Sequence, residues 1–428
     1  MKYSPRYQLF PDEQQQEQLN WTVDVVRQVY NDALNRFNDV PESDGTLNQR
    51  VRSVRDELPS MKDWWDDLND VYSTVLQNAV VRIEQNIETL HGLKNQGYDV
   101  GELKWKAPRD FQSFTYNKKG FELDKKSGPP GRGELTLKKI AGETITVPIR
   151  LHRDIPDHDS IQQLTLKQES TGEWYASFTI TTEPPAKPDV TEIDASDCVG
   201  IDLGINTFIH DSDGREIDRL DLSDDRERLE REQRSLSRKT EGSNNYEKQR
   251  KRVASVHARM NTKKRDFKHK LAHFYTTTYD AVFLEDLNVA DLMQSSGSSR
   301  NTAEVGWRDL ITIFEHHGEK NGCYVETVHS GGTTKQCASC GVSTEKPLWV
   351  REHSCPACGF STDRDLNAAA NVLSRGLQQL GVGHSEATPA ETATAVATDG
   401  GDASVSVDAS GVVESGSPAL TETVSTVE

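Results

Sequence analysis

The chain has 428 residues, more than one hydrophobic core organises, since single cores stop growing near ~250–300 residues, so several domains are expected. Its 50 Lys and Arg against 68 Asp and Glu leave a formal charge of −18, which on average excludes a uniformly basic nucleic-acid binder. No stretch approaches the ~18 consecutive apolar residues of a membrane span, and the opening MKYSPRYQLFPDEQ lacks the apolar segment of a secretory signal, so a cytoplasmic protein is expected.

Residues 12–38 place Leu19, Val23, Val26, Tyr30, Leu34 and Phe37 at helical spacing behind Pro11. A second helix is predicted over 46–57. A third begins at a Ser60 cap and carries the stripe Trp64, Leu68, Val71, Val75, Ala79, Ile83, Ile87 and Leu90. Residues 12–97 are thus a helical domain. From 98 to 183 the texture changes to short strand-like runs with a hairpin turn at STGEW (170–174), which predicts a small β-barrel, with residues 1–11 supplying its first strand. The start of this region interleaves Lys104, Lys106, Arg109, Lys118 and Lys119 with Trp105, Phe111, Phe114, Tyr116 and Phe121. Cations beside aromatic platforms suit single-stranded or irregular RNA, whose bases stack while its phosphates pair with the cations. The alternative is that the aromatics are barrel core and the lysines its rim.

Residues 184–197 form a linker, and an α/β pattern follows over 198–380. Within it, residues 231–270 hold fourteen Lys or Arg against four acids, including Arg250, Lys251, Arg252, Lys263, Lys264 and Arg265. The negative average therefore hides a basic helical hairpin over 215–275. Residues 381–428 are the opposite case, with eight acids, no Lys or Arg and no aromatic, a composition expected to stay disordered. Acidity spread over the rest of the chain points to a halophile, whose carboxylate-rich surface stays hydrated. At ~1 M salt the Debye length is only ~3 Å, so a basic cluster kept there implies close contact with phosphate. The alternative is a solvated hairpin.

Three groups of carboxylates stand out. Asp202 lies inside the apolar strand CVGIDL (198–203), where an ionised carboxylate is costly unless a cation compensates it. Glu285 and Asp286 end a second buried strand in AVFLEDLNV (281–289), followed by the Gly/Ser loop SSGSS (295–299), expected to be mobile. Asp363 and Asp365 open a helix with Leu366, Ala369, Leu373, Leu377 and Leu380 on one face, where acids also favour the helix dipole or act as caps. Carboxylates delivered by two strand ends and a helix start can hold two divalent ions roughly 4 Å apart and hydrolyse a phosphodiester. Mg²⁺ suits such oxygen ligands.

Cys337-Ala-Ser-Cys340-Gly and Cys355-Pro-Ala-Cys358-Gly are two C-x-x-C knuckles, whose four thiolates complete a closed tetrahedral Zn²⁺ site. His353 is surplus to it, and Cys198 and Cys323 are expected in the core.

Taken together, GIDLGINTFI, FLEDLNV, the paired C-x-x-C knuckles and DRDLNAAANVL, in that order, resemble the TnpB (OrfB) family of transposon-encoded RNA-guided DNA endonucleases, relatives of the type V CRISPR effectors. The likeness extends to YQLFPDEQQQEQL, VYNDAL, SFTYNKKGFEL and GSNNYEKQRKRVASVHARM, and covers about residues 3–380. It implies a multidomain α+β protein whose last domain is an RNase H-like (RuvC) nuclease, with Asp202, Glu285 and Asp365 as its three carboxylates on Mg²⁺ and a zinc ribbon over 333–361 built on Cys337, Cys340, Cys355 and Cys358. The helical and barrel regions then serve as recognition and wedge domains for a guide RNA from the transposon end and for double-stranded target DNA, with the protein nucleoid-associated when bound to DNA. The nucleic-acid-contact candidates are Arg250, Lys251, Arg252, Lys263, Lys264, Arg265, Lys104, Lys106, Trp105, Phe114 and Tyr116. The competing readings are a strand-transferring transposase and an accessory DNA- or RNA-binding regulator in which cleavage is dispensable.

Overall fold

A computed structural model describes residues 1–95, 97–125, 131–156, 160–204, 207–286, 306–347 and 349–382. The SSGSS loop and the acidic tail beyond Val382 lie outside the described residues. The chain divides into two units, residues 1–184 with 221–265, and residues 185–220 with everything from 266 onward.

The first unit joins helices to an eight-stranded antiparallel sheet. Its strands are β1 (Lys2–Tyr3), β2 (Arg6–Leu9), β3 (Ser113–Asn117), β4 (Phe121–Asp124), β5 (Arg132–Ile140), β6 (Glu143–Arg150), β7 (Ile161–Gln168) and β8 (Trp174–Thr181). They run in the order β3-β7-β8-β2-β6-β5-β4, with β1 on β8. The sheet is nearly closed: its edge strands β3 and β4 are joined through the turn Lys118–Gly120 without pairing to each other. Helix α1 (Glu13–Asp39) starts at a capping box, in which Asp12 accepts from the Gln15 N–H, and buries the predicted stripe from Leu19 to Phe37.

Helix α2 (Leu47–Asp56) is capped by Thr46. The long helix expected from Ser60 is not formed. A short helix α3 (Leu58–Met61) and a 3₁₀ turn at Asp66–Asp70 precede α4 (Ser73–Asn95). The Ser60 hydroxyl donates to the Glu57 carbonyl instead of capping, and Trp65 is non-helical at φ −123° and ψ 88°. The DDLND run favours local turns over helix, while Leu68 and Val71 still reach the core from the connection, which preserves the helix-like spacing of the buried residues. From α4, Asn78 and Arg82 donate to the carbonyls of Thr115 and Ser113 on β3, which covers one sheet edge.

The basic hairpin comprises α5 (Ser223–Leu236) and α6 (Asn244–Thr278). Residues 221–265 group with the first unit, whereas the sequence placed the whole hairpin in the nuclease domain. Its segments hold each other, with Gln249 donating to Glu232 and Lys263 to Asp225, and the Lys251 ammonium lies against Gly172 in the β7–β8 turn.

The second unit is built on a five-stranded sheet in the order β11-β10-β9-β12-β13. These strands are β9 (Cys198–Leu203), β10 (Thr207–Asp211), β11 (Glu216–Asp218), β12 (Ala281–Asp286) and β13 (Tyr324–His329). The three strands β9, β12 and β13 are parallel, and β10 runs antiparallel to β9. Parallel neighbours need crossovers, which helices supply: the end of α6 leads into β12, and α7 (Trp307–Asn321) leads into β13. Strand β9 is buried along its whole length and β12 up to Glu285, consistent with sequences that are apolar apart from Asp202 in β9 and the acids ending β12. Strands β14 (Glu352–Ser354) and β15 (Ser361–Asp363) form a small antiparallel pair ahead of the last helix, α8 (Arg364–Leu380).

Candidate active site and metal centre

Two glycine-mediated contacts set α8 on the sheet. Gly200 and Phe283 are register partners on β9 and β12. A Cβ on Gly200 would meet the Ala369 carbonyl oxygen at 2.3 Å, and one on Gly376 would stand 2.0 Å from the Phe283 ring, so the helix backbone rests on β9 itself and on the β12 phenylalanine. Side chains alternate along a strand, so Asp202 and Glu285 face the same side two residues further on, one register step beyond the pair Leu284–Ile201. One turn back along α8 from Ala369 is Asp365. The structure therefore brings together Asp202, Glu285 and Asp365, which are 7%, 5% and 6% exposed.

Asp363 has a different task. It is the N-cap of α8 and accepts from the N–H groups of Asp365 and Leu366, which aims Asp365 inward. Thr333 donates to Glu285 Oε1 at 2.6 Å. Arg351 contacts Asp365 Oδ2, and Arg364 donates to Asp365 Oδ1 at 3.2 Å. His210 is the register partner of Asp202 on β10, with Nδ1 3.8 Å from Asp365 Oδ2, and groups with Asp363 and Asp365 as a potential metal cluster.

Burial, reinforced by the charges of Glu285 and Asp365, pushes the Asp202 carboxyl well above the usual range, against the opposing effect of Arg364 and Arg351. Burial also raises Glu285, opposed by the Thr333 hydrogen bond and by Arg375. Three buried acids this close repel one another when ionised, and a divalent cation removes that cost. An all-carboxylate oxygen set with a neighbouring imidazole fits Mg²⁺.

The four cysteines converge as well. Cys337 and Cys358 sulfurs are 3.7 Å apart and those of Cys340 and Cys355 are 3.6 Å apart. Zinc–sulfur bonds of about 2.3 Å at tetrahedral angles put sulfurs about 3.8 Å apart, so the set fits Zn²⁺. The knuckles are alike: Gly341 and Gly359 adopt φ of 76° and 77°, and each donates its N–H to the carbonyl of the first cysteine of its knuckle. Backbone N–H groups of Cys358 and Ala357 lower the Cys355 thiol, whereas Cys337 and Cys340, which hydrogen-bond to the other thiols, are raised, so the four share protons as one set. Cys198 and Cys323 are buried, and His353 is fully buried beside the site.

Residues absent from the sequence reading join the two centres. Asn367 Nδ2 donates to the carbonyls of Thr333 and Gln336, and Asn371 Nδ2 does the same one turn later. Asn367 Oδ1 accepts from the Ala338 N–H inside the first knuckle. Thr333 thus holds Glu285 through its hydroxyl and α8 through its carbonyl. The available signal was two asparagines one turn apart on a helix face otherwise built of alanine and valine. The buried face is accordingly centred on Asp365, Ala368, Ala369, Val372 and Gly376, with Leu366, Leu373, Leu377 and Leu380 only partly buried.

The nucleic-acid-contact candidates do not share one environment. Phe114 and Tyr116 are buried in the core of the eight-stranded sheet, so the stacking role expected of them is withdrawn: alternation along β3 points both inward. Trp105 is 64% exposed and donates its indole N–H to Asn35, Lys104 beside it is exposed, and the backbone N–H of Lys106 donates to Asn31. Lys263 pairs with Asp225 and Arg250 with Glu247, whereas Arg252 and Arg265 are exposed and Lys264 is half-buried.

Family models match three stretches of the chain: one described as a probable transposase of the OrfB type covers residues 179–296, one described as a Cas12f1-like TNB domain covers 307–372, and a helix-turn-helix model covers 1–45. The chain is 29% identical over 385 residues to a putative RNA-guided DNA endonuclease of Streptomyces pristinaespiralis, covering 88% of this chain and 90% of that protein. These matches make the chain similar to the TnpB (OrfB) family. A second relative, the putative RNA-guided DNA endonuclease InsQ of Escherichia coli K12, is 27% identical over 52% of this chain and 58% of its own length. The fold is shared with the Cas12f1 chain of a Cas12f1–sgRNA–target DNA complex, at a TM-score of 0.54 and 14% identity over 85% of this chain and 83% of that one. It is likewise shared with the mini-RNA-guided endonuclease CRISPR-Cas_phi3, at 0.52 and 9% over 91% and 94%. In this chain, residues 1–45 hold two strands and α1, and α2 begins only at Leu47, so the segment matched as helix-turn-helix contains a single long helix. No helix among the described residues is long and apolar enough to cross a membrane.

Proposed function

We propose that this protein is a transposon-associated, RNA-guided DNA endonuclease that hydrolyses phosphodiester bonds at an RNase H-like (RuvC) site. The observation that carries this reading is the convergence of Asp202, Glu285 and Asp365 from two strand ends and a helix start. Mg²⁺ ions held by these three carboxylates supply Lewis-acid stabilisation and an activated water when bound. The chain's own part is to fix the oxygen ligands before substrate arrives. Thr333 orients Glu285, the Asp363 cap orients Asp365, and α8 closes over both strands through Gly200 and Gly376. Arg351 and Arg364 place positive charge where a scissile phosphate would approach.

Zn²⁺ on Cys337, Cys340, Cys355 and Cys358 shapes the ribbon that Asn367 and Asn371 lock to α8. Guide RNA and its heteroduplex with the double-stranded target are assigned to the helical segments, the eight-stranded sheet and the basic hairpin, including Arg252, Lys264 and Trp105. Base pairing then reads sequence while protein reads duplex shape.

The test is to purify the chain and sequence the RNA that accompanies it, then load that RNA and assay cleavage of matching DNA. A defined RNA and Mg²⁺-dependent cleavage that Asp202→Ala abolishes without releasing the RNA are expected. A variant that still cleaves removes Asp202 from the mechanism, and joining of strands in place of hydrolysis favours the transposase.

A further inference from the structure

We propose that His269 and His273 on α6 and His317 on α7 form a binding site for a divalent transition-metal ion of the Zn²⁺ class, which fastens the two helices together. The site is separate from the cysteine ribbon and from the three carboxylates, and it does not depend on the nuclease reading above. His269 and His273 are four residues apart on α6, a spacing that sets two imidazoles on one helix face, one turn apart. His317 comes from the facing helix and is only 8% exposed.

Packing brings the rings together. His317 Nε2 is 2.9 Å from His269 Nδ1, with the ring centroids 5.2 Å apart, and the His273 centroid is 6.0 Å from that of His317. With metal–nitrogen bonds of ~2.0–2.1 Å, two imidazoles on one ion have nitrogens ~2.9–3.4 Å apart and centroids ~4.5–5.2 Å apart, from right-angled to tetrahedral coordination. His269 and His317 already meet both figures. His273 stands slightly further out, at the surface, so a turn about its side-chain bonds completes a set of three imidazoles.

The chemistry of the three fits such an ion. A metal binds the neutral imidazole, and burial holds the His317 pKa down to about 4, so its ring is neutral at physiological pH. Its Nδ1 has no hydrogen-bond partner among the described residues. An unsatisfied buried nitrogen costs stability that an apolar side chain would not, which sets this imidazole apart from a packing residue. All-nitrogen ligands suit Zn²⁺, Ni²⁺ or Cu²⁺, whereas Mg²⁺ takes oxygens. The neighbouring Lys320 opposes a cation, but it is exposed and screened by water.

The sheet separates this site from the carboxylates. Val199 and Ile201 of β9 pack with Leu271, Tyr275, Leu310 and Phe314 of α6 and α7 on one face. Gly200 and Asp202 alternate with them and face α8 on the other. An ion at the histidines acts on the α6–α7 pair, which Lys268–Asp309 and Asn321–Thr276 also tie.

The experiment titrates Co²⁺ into the full chain with its ribbon zinc in place and excess Mg²⁺ present to fill the carboxylates. Co²⁺ on imidazoles gives visible d–d absorption without the thiolate charge-transfer band that exchange into the ribbon would produce. One such equivalent per chain is expected, with a rise in melting temperature and competition by Zn²⁺ for the same site. His269→Gln and His273→Gln should each weaken binding at least about tenfold while keeping the ribbon zinc. His273→Gln, at the surface, should also keep the parent's melting temperature without added Co²⁺, which separates lost binding from lost folding. An affinity unchanged in either variant would overturn the three-histidine site and leave an adventitious ion only. A charge-transfer band with the bound Co²⁺ would place the ion in the ribbon, and no visible band at all would leave His269 and His317 as a hydrogen-bonded pair; either result would overturn the proposal.

Discussion

Gly200 on β9 lies under α8 at a point where a Cβ would stand 2.3 Å from both the Ala369 carbonyl oxygen and the Leu373 nitrogen. Both neighbours are helix backbone and cannot swing away, so Gly200→Ala must lift α8 off the strand that carries Asp202. The expected cost is about 1–3 kcal/mol or more, together with loss of cleavage, because Asp365 moves with the helix. Gly92 in α4 meets nothing within 4 Å, so Gly92→Ala should stabilise by about 0.5–1 kcal/mol. Urea denaturation of the two variants against the parent, with a cleavage assay alongside, checks both signs.

Asp202 should show a trade between function and stability. Its folded pKa is raised, chiefly by burial and then by Glu285 and Asp365, so the unfolded chain releases its proton first. The stability tied to the protonated acid is complete below the unfolded value of about 3.9 and is lost as pH rises through the folded value. Without added divalent ions at neutral pH, Asp202→Asn should therefore melt above the parent, and the gap should narrow toward pH 4. Added Mg²⁺ should raise the parent's Tm more than the variant's. A variant that melts lower at neutral pH would contradict the burial argument.

Zinc loss should reach the carboxylates by a definable route. Removing one ligand with Cys337→Ser should empty the site, and structural zinc in short peptides is worth on the order of 10 kcal/mol at neutral pH. The ribbon backbone that Asn367 grips then loosens, and Thr333 loses the frame that aims its hydroxyl at Glu285. Thr333→Val separates the two effects, since it keeps the shape of the side chain and deletes the hydrogen bond. It should retain zinc by metal analysis and lower the cleavage rate by about tenfold, the equivalent of one buried hydrogen bond to a charged group of ~1.5 kcal/mol. An unchanged rate would show that Glu285 is held without it.

How much of this was legible in the sequence depends on the range of the interaction. Asp202 was visible because a carboxylate inside a buried apolar strand is locally anomalous, and the cysteines because two C-x-x-C turns carry their geometry in their spacing. His210 was not, because it becomes part of the site only through its register opposite Asp202. Thr333, Asn367 and Asn371 were hidden for the same reason: each is an unremarkable polar residue until packing across the sheet pairs it. Phe114 and Tyr116 were misread although the signal was present, since Ser113, Thr115 and Asn117 alternate with them and mark the outer face of β3. The break before α4 was missed because an apolar spacing of three and four can be met by turn residues as well as by a helix.

One pH response lies away from the carboxylates. His317 on α7 is buried, its Nε2 is 2.9 Å from His269 Nδ1 on α6, and its own Nδ1 has no hydrogen-bond partner among the described residues. Burial lowers its pKa to about 4, helped by His269, His316, Lys320 and His273. Because the folded value lies below the unfolded ~6.5, the neutral ring is the native form. Its contribution to stability is complete above about pH 6.5 and declines as the pH falls toward 4, where the unfolded chain binds a proton that the folded chain does not. His317→Gln removes that titration, so its stability should fall less steeply than the parent's between pH 6.5 and 4, even if it is lower at neutral pH. Urea midpoints of both proteins across that interval give the two slopes, and parallel slopes would mean that His317 is protonated in the folded state.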